Sequence, residues 1–426
     1  MTTRADARPS AGHGVALVNL GCRVNRVELD LMASELERGG ASVVGEAEAS
    51  AIVVNTCAVT GEAEAKTRKA VRRAATLPQA PVVVATGCVA NLFSAELEDI
   101  APNVIVEREK RQVAARVLAE LGLSGSCGGP GTPAPTPTPT GRTRPGIKIQ
   151  DGCDNRCTYC IVWRARGSAR SLPADEVVSS VLAARRRGAH EVVLTGINLG
   201  CYRDGDLGLP GLIDLLLERT DVERIRLSSI EPPDVTPELC SVMAEAGQRV
   251  APFLHICLQS GCDETLARMA RVYRTDHFRR VVETARERIP HIALGTDLIV
   301  GFPGETDGQF EASMSFCEEM RFAKMHVFRY SRRPGTPAAS MPDQIDPHVS
   351  AVRSRRARAL ADRMRLEQAR SLVGEKDLVV VQYPGRGVTG GLFDALVDPS
   401  IPVDSLVPVV LTGVDDNATF ATRPLR

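Results

Sequence analysis

The feature that most constrains the fold is an alternation of short, β-branched apolar runs with segments of helical periodicity. Over residues 13–123 the runs VALVNL, AIVVN and PVVVAT alternate with helical patterns at about 27–38, at about 63–75 and after 94. Apolar strands separated by helices are typical of a doubly wound parallel sheet. We therefore predict an α/β protein whose N-terminal domain, 13–123, contains such a sheet.

Composition and pattern divide the rest of the chain. Residues 1–12 are polar and are predicted to be disordered, and residues 124–145 are rich in Gly, Pro and Thr, which predicts a semi-extended linker. Six strand-like runs from IKIQ to KMHVFRYS, separated by helical segments, predict a partial (β/α)6 barrel over 146–370. The runs DLVVVQY, GLFDALV and LVPVVLTGV predict a small C-terminal β-barrel over 371–426.

The overall composition gives few clues to partners. The 426 residues include 52 Lys+Arg and 52 Asp+Glu, so net charge does not argue for nucleic acid, although an uneven distribution could. No apolar run approaches the roughly 18–20 residues that span a bilayer, and the stretch 15–20 is too short for a signal peptide. We expect a cytoplasmic protein with no membrane partner and with reduced cysteines.

Three cysteines of the first domain, here called the strand-end triad, share one placement. Cys22, Cys57 and Cys88 each follow a predicted strand. Because the carboxyl ends of parallel strands lie at one edge of a sheet, thiols far apart in sequence can meet there. One such cysteine would be unremarkable in a buried position, but three favour a shared metal or cluster site with one coordination position left open.

A second set of cysteines, here called the loop triad, is much denser. Cys153, Cys157 and Cys160 follow the run IKIQ, and a Cys-x3-Cys-x2-Cys loop suits three corners of a [4Fe–4S] cluster with the fourth iron free. Zinc is the competing interpretation, but zinc needs a fourth nearby ligand, and no usual second pair follows. The pattern favours iron–sulfur. The other six cysteines show no ligand spacing and are expected to be buried or neutral.

These motifs resemble a known family. The loop triad, with Tyr159 before its third cysteine, resembles the radical S-adenosylmethionine (SAM) motif, and its combination with the strand-end triad resembles the radical SAM methylthiotransferases. The closest resemblance is to the MtaB-like group, which modifies N6-threonylcarbamoyladenosine (t6A) at position 37 of tRNA. It rests on KIQDGCDNRCTYCI, EVVLTGINLG, RLSSIEP, LQSGCDETLARMARVY, TDLIVGFPGETDGQF and HVFRYSRRPGTPAASMP. LTGINLG and RLSSIEP favour this group over those that act on isopentenyladenosine or a ribosomal protein.

The resemblance implies a reaction, cofactors and partners. The loop triad would hold a [4Fe–4S] cluster whose open iron binds SAM, which is cleaved to a 5′-deoxyadenosyl radical that takes hydrogen from adenine C2. The strand-end triad would hold an auxiliary [4Fe–4S] cluster that donates the sulfur, methylated by a second SAM. The product would be 2-methylthio-t6A37. The partners would be the anticodon loop of tRNA and an electron donor such as flavodoxin or ferredoxin.

The same resemblance implies seven SAM contacts. Their patterns also have plainer interpretations, since TG begins a loop, GFPGE favours turns, and a polar group at a strand end can cap the next helix. The predicted contacts are Tyr159, Thr195, Gly196, Glu231, Gln259, Ile299 and Gly301. His255 alternates with apolar neighbours and is interpreted as packing.

Basic residues are distributed unevenly. Residues 321–370 contain twelve basic and four acidic side chains, which suits either a phosphate-binding surface or a solvated helix face. Residues 68–73 hold a smaller basic stripe with the same ambiguity. The tail, 371–426, has four basic and seven acidic residues where the family has an RNA-binding TRAM domain, so we predict a degenerate TRAM-like barrel. Trp163 stands where the family more often has proline.

A different class of function remains open from the sequence. If the cysteines held zinc, the chain would be a metal-stabilised RNA-binding protein without turnover. We expect a monomer, because no apolar element is left over once the domains are assigned. The sequence identifies neither the tRNAs that are read nor the source of the inserted sulfur.

Overall fold

The structure, a computed structural model, describes residues 13–123 and 143–425. The predicted disordered segment, 1–12, and the linker residues 124–142 lie outside this range. The chain divides into two compact units, one of Met1–Thr140 with Arg164–Arg166 and one of Gly141–Trp163 with Gly167–Arg426. The domain boundaries inferred from composition stay predictions.

The first unit is built on a parallel sheet with helices along the chain between its strands. The strands β1 to β5 are Gly14–Asn19, Ser42–Val43, Ala51–Thr56, Val82–Gly87 and Val104–Val106. The helices α1 to α5 are Arg23–Arg38, Gly61–Ala75, Cys88–Leu92, Ser94–Glu98 and Val113–Glu120. All strand pairs are parallel, in the order β2-β1-β3-β4-β5, so the strand order reverses between β1 and β3.

The predicted doubly wound sheet is confirmed. Strand β3 is buried along its whole length, as expected when both faces of a parallel sheet are covered. Strand β2 escaped prediction because it is two exposed residues long. The helix expected after Ser94 is preceded by a second short helix, α3, and Phe93, with φ −138° and ψ 47°, separates the two.

The second unit contains a larger set of strands and helices. The strands β6 to β16 are Gly146–Lys148, Gln150–Asp151, Arg170–Ser171, Glu191–Thr195, Arg203–Asp204, Leu207–Gly208, Arg224–Leu227, Ser229–Ile230, Phe253–Ile256, Ala293–Val300 and Lys324–Arg329. The helices α6 to α13 are Val162–Arg166, Ala174–Arg186, Leu209–Arg219, Pro237–Ala246, Asp263–Arg268, Thr275–Arg288, Asp307–Met320 and Pro347–Ser371. The last three residues of α6 belong to the first unit.

Six strand positions form the predicted partial (β/α)6 barrel, which is confirmed. Parallel pairing runs in the orders β6-β9-β12 and β13-β14-β15-β16, and only Ser228 separates β12 from β13. Leu194, Leu227, Leu254 and Leu298 bring the buried faces of four strands into one core with the surrounding helices. Because all six positions are parallel, their carboxyl ends share one edge.

The chain ends in a small barrel, as predicted. The strands β17 to β21 are Lys376–Tyr383, Arg386–Val388, Asp394–Leu396, Leu406–Val414 and Phe420–Pro424. They close in the order β17-β18-β19-β21-β20, with β19 and β21 parallel and the other pairs antiparallel. Inside, the rings of Phe393 and Phe420 pack edge to face at 5.5 Å. Closure removes the exposed strand edges of so small a domain.

A buried ion network joins this barrel to the strands before it. Glu191 in β9 accepts hydrogen bonds from Nε of Arg224 and Nε of Arg226 in β12, at 2.5 and 2.6 Å. The outer nitrogens of the two arginines donate to the main-chain carbonyls of Leu378 and Gly390, both at 2.6 Å. Glu191, Arg224 and Arg226 are all buried, so the barrel and the strands form one packed body.

Among the helices in the described ranges, none has the length and apolar character needed to cross a bilayer.

Candidate active site

The strand-end triad lies at the carboxyl ends of three neighbouring strands of the first unit. Cys22 precedes α1, Cys57 directly follows β3, and Cys88 directly follows β4. The order reversal between β1 and β3 opens a crevice at this edge, where doubly wound sheets bind ligands. Gly87 has φ 97°, and a Cβ there would lie 2.6 Å from Oδ1 of Asn55. Glycine thus lets β4 end close against β3.

The three thiols act on one another. Burial raises the pKa of Cys57, and the neighbouring Cys22 raises it further. Burial also raises the pKa of Cys88, with further contributions from Cys57 and Cys22, while the charge of Arg166 lowers it. Effects of this kind need short distances. The structure therefore brings the three thiols together at the sheet edge, and their role as cluster ligands stays a prediction.

Buried polar side chains hold these strand ends in place. Nδ2 of Asn25 in α1 donates to Oδ1 of Asn55 at 3.1 Å, and Nδ2 of Asn55 donates to the carbonyl of Asn25 at 2.7 Å. Oγ1 of Thr56 accepts from the amides of Val89 and Ala90 at 3.1 and 3.2 Å, so the end of β3 caps helix α3. The residues beside each thiol are thus fixed by bonds between elements.

In the second unit, the loop triad follows β6 and β7, and each sulfur accepts a hydrogen bond. The donors are the amide of Asn198 for Cys153 (3.8 Å), Nη1 of Arg271 for Cys157 (3.1 Å) and the backbone N–H of Val162 for Cys160 (3.4 Å). Burial raises the pKa of Cys153 and raises that of Cys160 to about 12, so a metal that binds these sulfurs must displace their protons.

Arg271 is the centre of a buried network beside Cys157. It pairs with the carboxylate of Glu231, and its Nε donates to Oη of Tyr273 at 2.9 Å. The Tyr273 hydroxyl donates in turn to the carbonyls of Cys257 and Leu258, at 2.6 and 2.7 Å. Glu231, a predicted SAM contact, is therefore held by Arg271, which the sequence reasoning missed.

The remaining predicted SAM contacts lie at the same edge of the partial barrel. Thr195 is the last residue of β9, and Gly196 follows it. The next two amides, of Ile197 and Asn198, donate to Oε1 of Gln150 at 3.0 and 2.8 Å. Nε2 of Gln150 donates to the carbonyl oxygens of residues 151 and 152, so one side chain ties this loop to the start of the loop triad.

Two further strand ends carry the other predicted contacts. Gln259 has φ 66°, and its N–H donates to the carbonyl of Asp297 at 2.9 Å, while its carbonyl accepts from Ile299 at 2.8 Å. The amide of Gly301, just after β15, donates to the carboxylate of Glu305 at 2.7 Å. The structure places all seven predicted residues in the loops or strand ends at the barrel's carboxyl edge, and their contacts with SAM stay predictions.

An apolar cluster lies beside the loop triad. The ring of Tyr159 packs against Met269, Ile299, Phe302 and Ala338, of which Ile299 is itself a predicted SAM contact. Burial raises the pKa of Tyr159 well above its ordinary value, so its hydroxyl is neutral at physiological pH. The cluster offers one apolar wall at an otherwise polar edge.

Comparisons with known proteins agree with this architecture. The model of the radical SAM superfamily matches residues 147–317, and that of the uncharacterized protein family UPF0004 matches 14–107. The threonylcarbamoyladenosine tRNA methylthiotransferase MtaB of Thermotoga maritima is 33% identical over 88% of this chain and 88% of its own. The chain belongs to the radical SAM methylthiotransferases. The MtaB of Bacillus subtilis is 36% identical over 83% of this chain and 82% of its own.

Relatives with other names are nearly as similar. The ribosomal protein uS12 methylthiotransferase RimO of Desulforudis audaxviator is 34% identical over 87% of this chain and 87% of its own. The tRNA-2-methylthio-N(6)-dimethylallyladenosine synthase of Zymomonas mobilis is 31% identical over 96% of both. The family is therefore established, whereas the names of relatives leave its substrate open between tRNA and a ribosomal protein.

The fold itself has solved counterparts. The radical SAM methyltransferase TsrM of Kitasatospora setae, solved with cobalamin and a [4Fe–4S] cluster, has a TM-score of 0.56 and 18% identity over 88% of this chain and 80% of its own. At that identity the likeness concerns the fold of a radical SAM enzyme alone.

As a radical SAM methylthiotransferase, the protein uses SAM and [4Fe–4S] clusters, and the cysteines of the two triads are their predicted ligands. Zinc binds sulfur at about 2.3 Å, so two of its thiolate ligands lie at most about 4.6 Å apart. Within 13–123 and 143–425, the one group of three potential ligand atoms within 4.8 Å of each other is His255, Cys257 and Asp297. Neither triad is that compact, as suits a cluster with several irons.

His255, interpreted from the sequence as packing, belongs to a polar group on the barrel strands. It is buried, its Nε2 lies 3.1 Å from Oδ1 of Asp297 in β15, and its ring is 5.6 Å from that of His326 in β16. Each of three successive strand motifs carries one residue of this group: His255 in HIC, Asp297 in TD and His326 in MHV. This recurrence is the sequence signal that could have predicted the group.

The basic run 321–370 is less available for phosphate than its sequence suggested. Arg353, Arg356 and Arg363 of α13 pair with Glu305, Glu311 and Glu318, at 2.7, 2.6 and 2.6 Å. These acids lie before residue 321, so counting charge along the run misses them. Arg329, Arg355 and Arg358 are exposed. In the smaller stripe, Arg68 pairs with Glu64 and Arg73 with Glu46.

Trp163, the departure from the family pattern, is partly buried. The guanidinium of Arg156 lies 4.7 Å from the centre of its ring, a cation–π contact between the loop that carries the triad and the start of α6.

Proposed function

We propose that the protein is the tRNA (t6A37-C2)-methylthiotransferase, which converts t6A37 to 2-methylthio-t6A37. The observation that carries the proposal is the convergence of Cys22, Cys57 and Cys88 at the order reversal of a parallel sheet, because a radical SAM enzyme that inserts sulfur needs a second cluster. Support for t6A comes from the relatives of that name and from the motifs LTGINLG and RLSSIEP. The alternatives are isopentenyladenosine-37 of tRNA and a ribosomal protein.

In this proposal the two triads divide the chemistry. When bound, the cluster of Cys153, Cys157 and Cys160 supplies the electron that cleaves SAM, and that of the strand-end triad supplies the sulfur. The protein orients both reactants. Gln150 fixes the loop after β9 against the loop triad, and the apolar cluster around Tyr159 is a dry wall suited to the adenine of SAM.

A base-binding surface is proposed on β16. Met325 is buried while His326 and Phe328 are exposed, since alternate residues of a strand face opposite sides. The rings of His326 and Phe328 lie 6.5 Å apart, and Arg329 is exposed at the end of the strand. Splayed RNA bases stack on aromatic side chains, and arginine binds the adjoining phosphates.

The proposal includes the protein's partners and location. The substrate is the anticodon loop of tRNA, and the electron comes from a small donor such as flavodoxin or ferredoxin. We propose that the enzyme acts as a monomer in the cytoplasm, where its tRNA is found.

The experiment that tests the substrate is nucleoside mass spectrometry of tRNA from a deletion strain and from the same strain with the gene restored. We expect 2-methylthio-t6A to disappear and t6A to accumulate in the deletion strain. Loss of a different methylthioadenosine would support the isopentenyladenosine alternative, and unchanged nucleosides would point to the ribosomal protein or to the non-enzymatic alternative.

The non-enzymatic alternative is tested on the purified protein. Two [4Fe–4S] clusters contribute about eight irons per chain and a broad absorption near 400 nm, whereas zinc sites are colourless. A colourless, zinc-loaded protein that binds tRNA without cleaving SAM would contradict the enzymatic proposal.

A further inference from the structure

Arg166 lies close in sequence to the loop triad but belongs in space to the first unit. It is the last residue of helix α6, six residues after Cys160, and Arg164–Arg166 group with the first unit. Its side chain is buried, with 7% of the residue exposed. A buried guanidinium is stable only where its charge and its donors are matched by partners.

Those partners are the residues around the strand-end triad. Nη2 donates to Oδ1 of Asn25 at 2.5 Å, and Nη1 donates to Oε1 of Glu28 at 2.8 Å. Both partners lie in α1 and are buried. The guanidinium of Arg166 also lies within interaction distance of the Cys88 thiol. The guanidinium group of Arg166 thus lies between α1 and the end of β4.

Asn25 connects Arg166 to a second cysteine of the triad. The Cys22 thiol lies 3.6 Å from Oδ1 of Asn25, the same oxygen that accepts from Arg166. A cluster ligand is a thiolate, which has no proton to donate. With iron bound, Arg166 remains as the donor that holds this oxygen, and it places positive charge beside a group of negative sulfurs.

We propose that Arg166 is a positioning residue for the auxiliary cluster, which it holds through Asn25 and Cys88 and whose reduction potential it raises. The inference rests on the proposed function, in which the strand-end triad binds that cluster. Hydrogen bonds and positive charge at the sulfurs favour the reduced, more negative cluster. The alternative is a purely structural role, in which Arg166 only neutralises the charge of Glu28, a residue that Lys110 also contacts.

The test uses the full chain with Cys153, Cys157 and Cys160 replaced by alanine, so that one cluster remains. This parent is reconstituted with iron and sulfide under anaerobic conditions. Iron per chain and the midpoint potential, followed by electron paramagnetic resonance, are measured for the parent and for Arg166→Gln, Arg166→Lys and Glu28→Gln. Arg164→Gln is the matched control, because Arg164 is an exposed arginine of the same helix.

We expect four irons in the parent and a more negative potential in Arg166→Gln, with Arg164→Gln at the parent's value and Glu28→Gln at or above it, because Arg166 is still present there. If Arg166→Gln loses iron instead, recovery in Arg166→Lys supports the inference, because the cation is restored. The inference is overturned if Arg166→Gln has the same potential and the same iron content as the parent. It is also overturned if Glu28→Gln loses as much iron as Arg166→Gln. A parent without iron would overturn the proposed function itself.

Discussion

Arg271 donates a hydrogen bond from Nη1 to Sγ of Cys157 across 3.1 Å, although 114 residues separate the two in sequence. Arg271 is buried, and its other nitrogens are taken by Glu231 and Tyr273. The orientation of the guanidinium is therefore fixed by three partners. In the proposed enzyme, Arg271 would position the cluster of the loop triad, as Arg166 is proposed to position the cluster of the strand-end triad.

Replacing Arg271 should impair the cleavage of SAM. Arg271→Gln removes a charged donor to a cluster sulfur, and losses of such supporting contacts typically cost about 10–100-fold in activity or metal affinity. We expect a more negative potential of the loop-triad cluster and a comparable fall in the rate of 5′-deoxyadenosine release. Arg280→Gln, an exposed arginine of α11, is the control. Unchanged potential and rate in Arg271→Gln would contradict the assignment.

Substitutions in the two triads should affect different steps of the reaction. Cys157→Ala removes a ligand from the cluster that binds SAM, so 5′-deoxyadenosine formation should be lost. Cys57→Ala should keep SAM cleavage and lose sulfur insertion, because it removes a ligand from the other triad. Liquid chromatography with mass spectrometry of both products measures the split. Full methylthio product from Cys57→Ala would show that the strand-end triad does not donate the sulfur.

The exposed ring of Phe328 should contribute to RNA binding. A base stacked on an aromatic ring gains about 1–3 kcal/mol, so Phe328→Ala should weaken binding of an anticodon stem-loop by that amount. Fluorescence anisotropy with a labelled stem-loop measures the change. Val43→Ala, an exposed apolar residue of β2, is the control. Equal affinities of the Phe328→Ala and Val43→Ala proteins would place the RNA elsewhere.

The network around Glu191 should matter for stability. Glu191→Gln removes the carboxylate that pairs with two buried guanidinium groups, and breaking a buried ion pair in this way costs about 3–5 kcal/mol of unfolding free energy. Thermal and denaturant unfolding measure the loss. Glu218→Gln, an exposed glutamate of α8, should unfold like the unchanged protein. A Glu191→Gln protein as stable as this control would mean that the arginines are satisfied by backbone carbonyls alone.

The same carboxylate predicts a pH dependence. Burial raises the pKa of Glu191, but Arg226 and Arg224 outweigh it and lower the pKa from 4.5 to about 2. Since the folded pKa lies below the unfolded one, the stabilisation is complete above about pH 4.5 and is lost as the pH falls toward 2. Stability measured between pH 6 and 2.5 should therefore fall less steeply in Glu191→Gln than in the unchanged protein.

The sequence predicted what depends on local periodicity. The apolar runs fixed the strands, and the strands placed Cys22, Cys57 and Cys88 at one edge, where the structure has them. It could not predict partners that meet only after folding. Arg166 lies 141 residues from Asn25, and no periodicity connects them. The sequence suggested that Arg353 belongs to a basic surface, because its partner Glu305 lies 48 residues earlier in the chain.

The C-terminal barrel is held through its main chain. The groups that Arg224 and Arg226 contact are the carbonyl oxygens of Leu378, Thr389 and Gly390, which any sequence presents once the strands are in place. The arginines therefore hydrogen-bond to the backbone of the barrel, with the carboxylate of Asp377 as a charged neighbour of Arg224. A barrel docked in this way can change its surface charge and still keep its contacts with the preceding strands, which is consistent with seven acidic and four basic residues over 371–426.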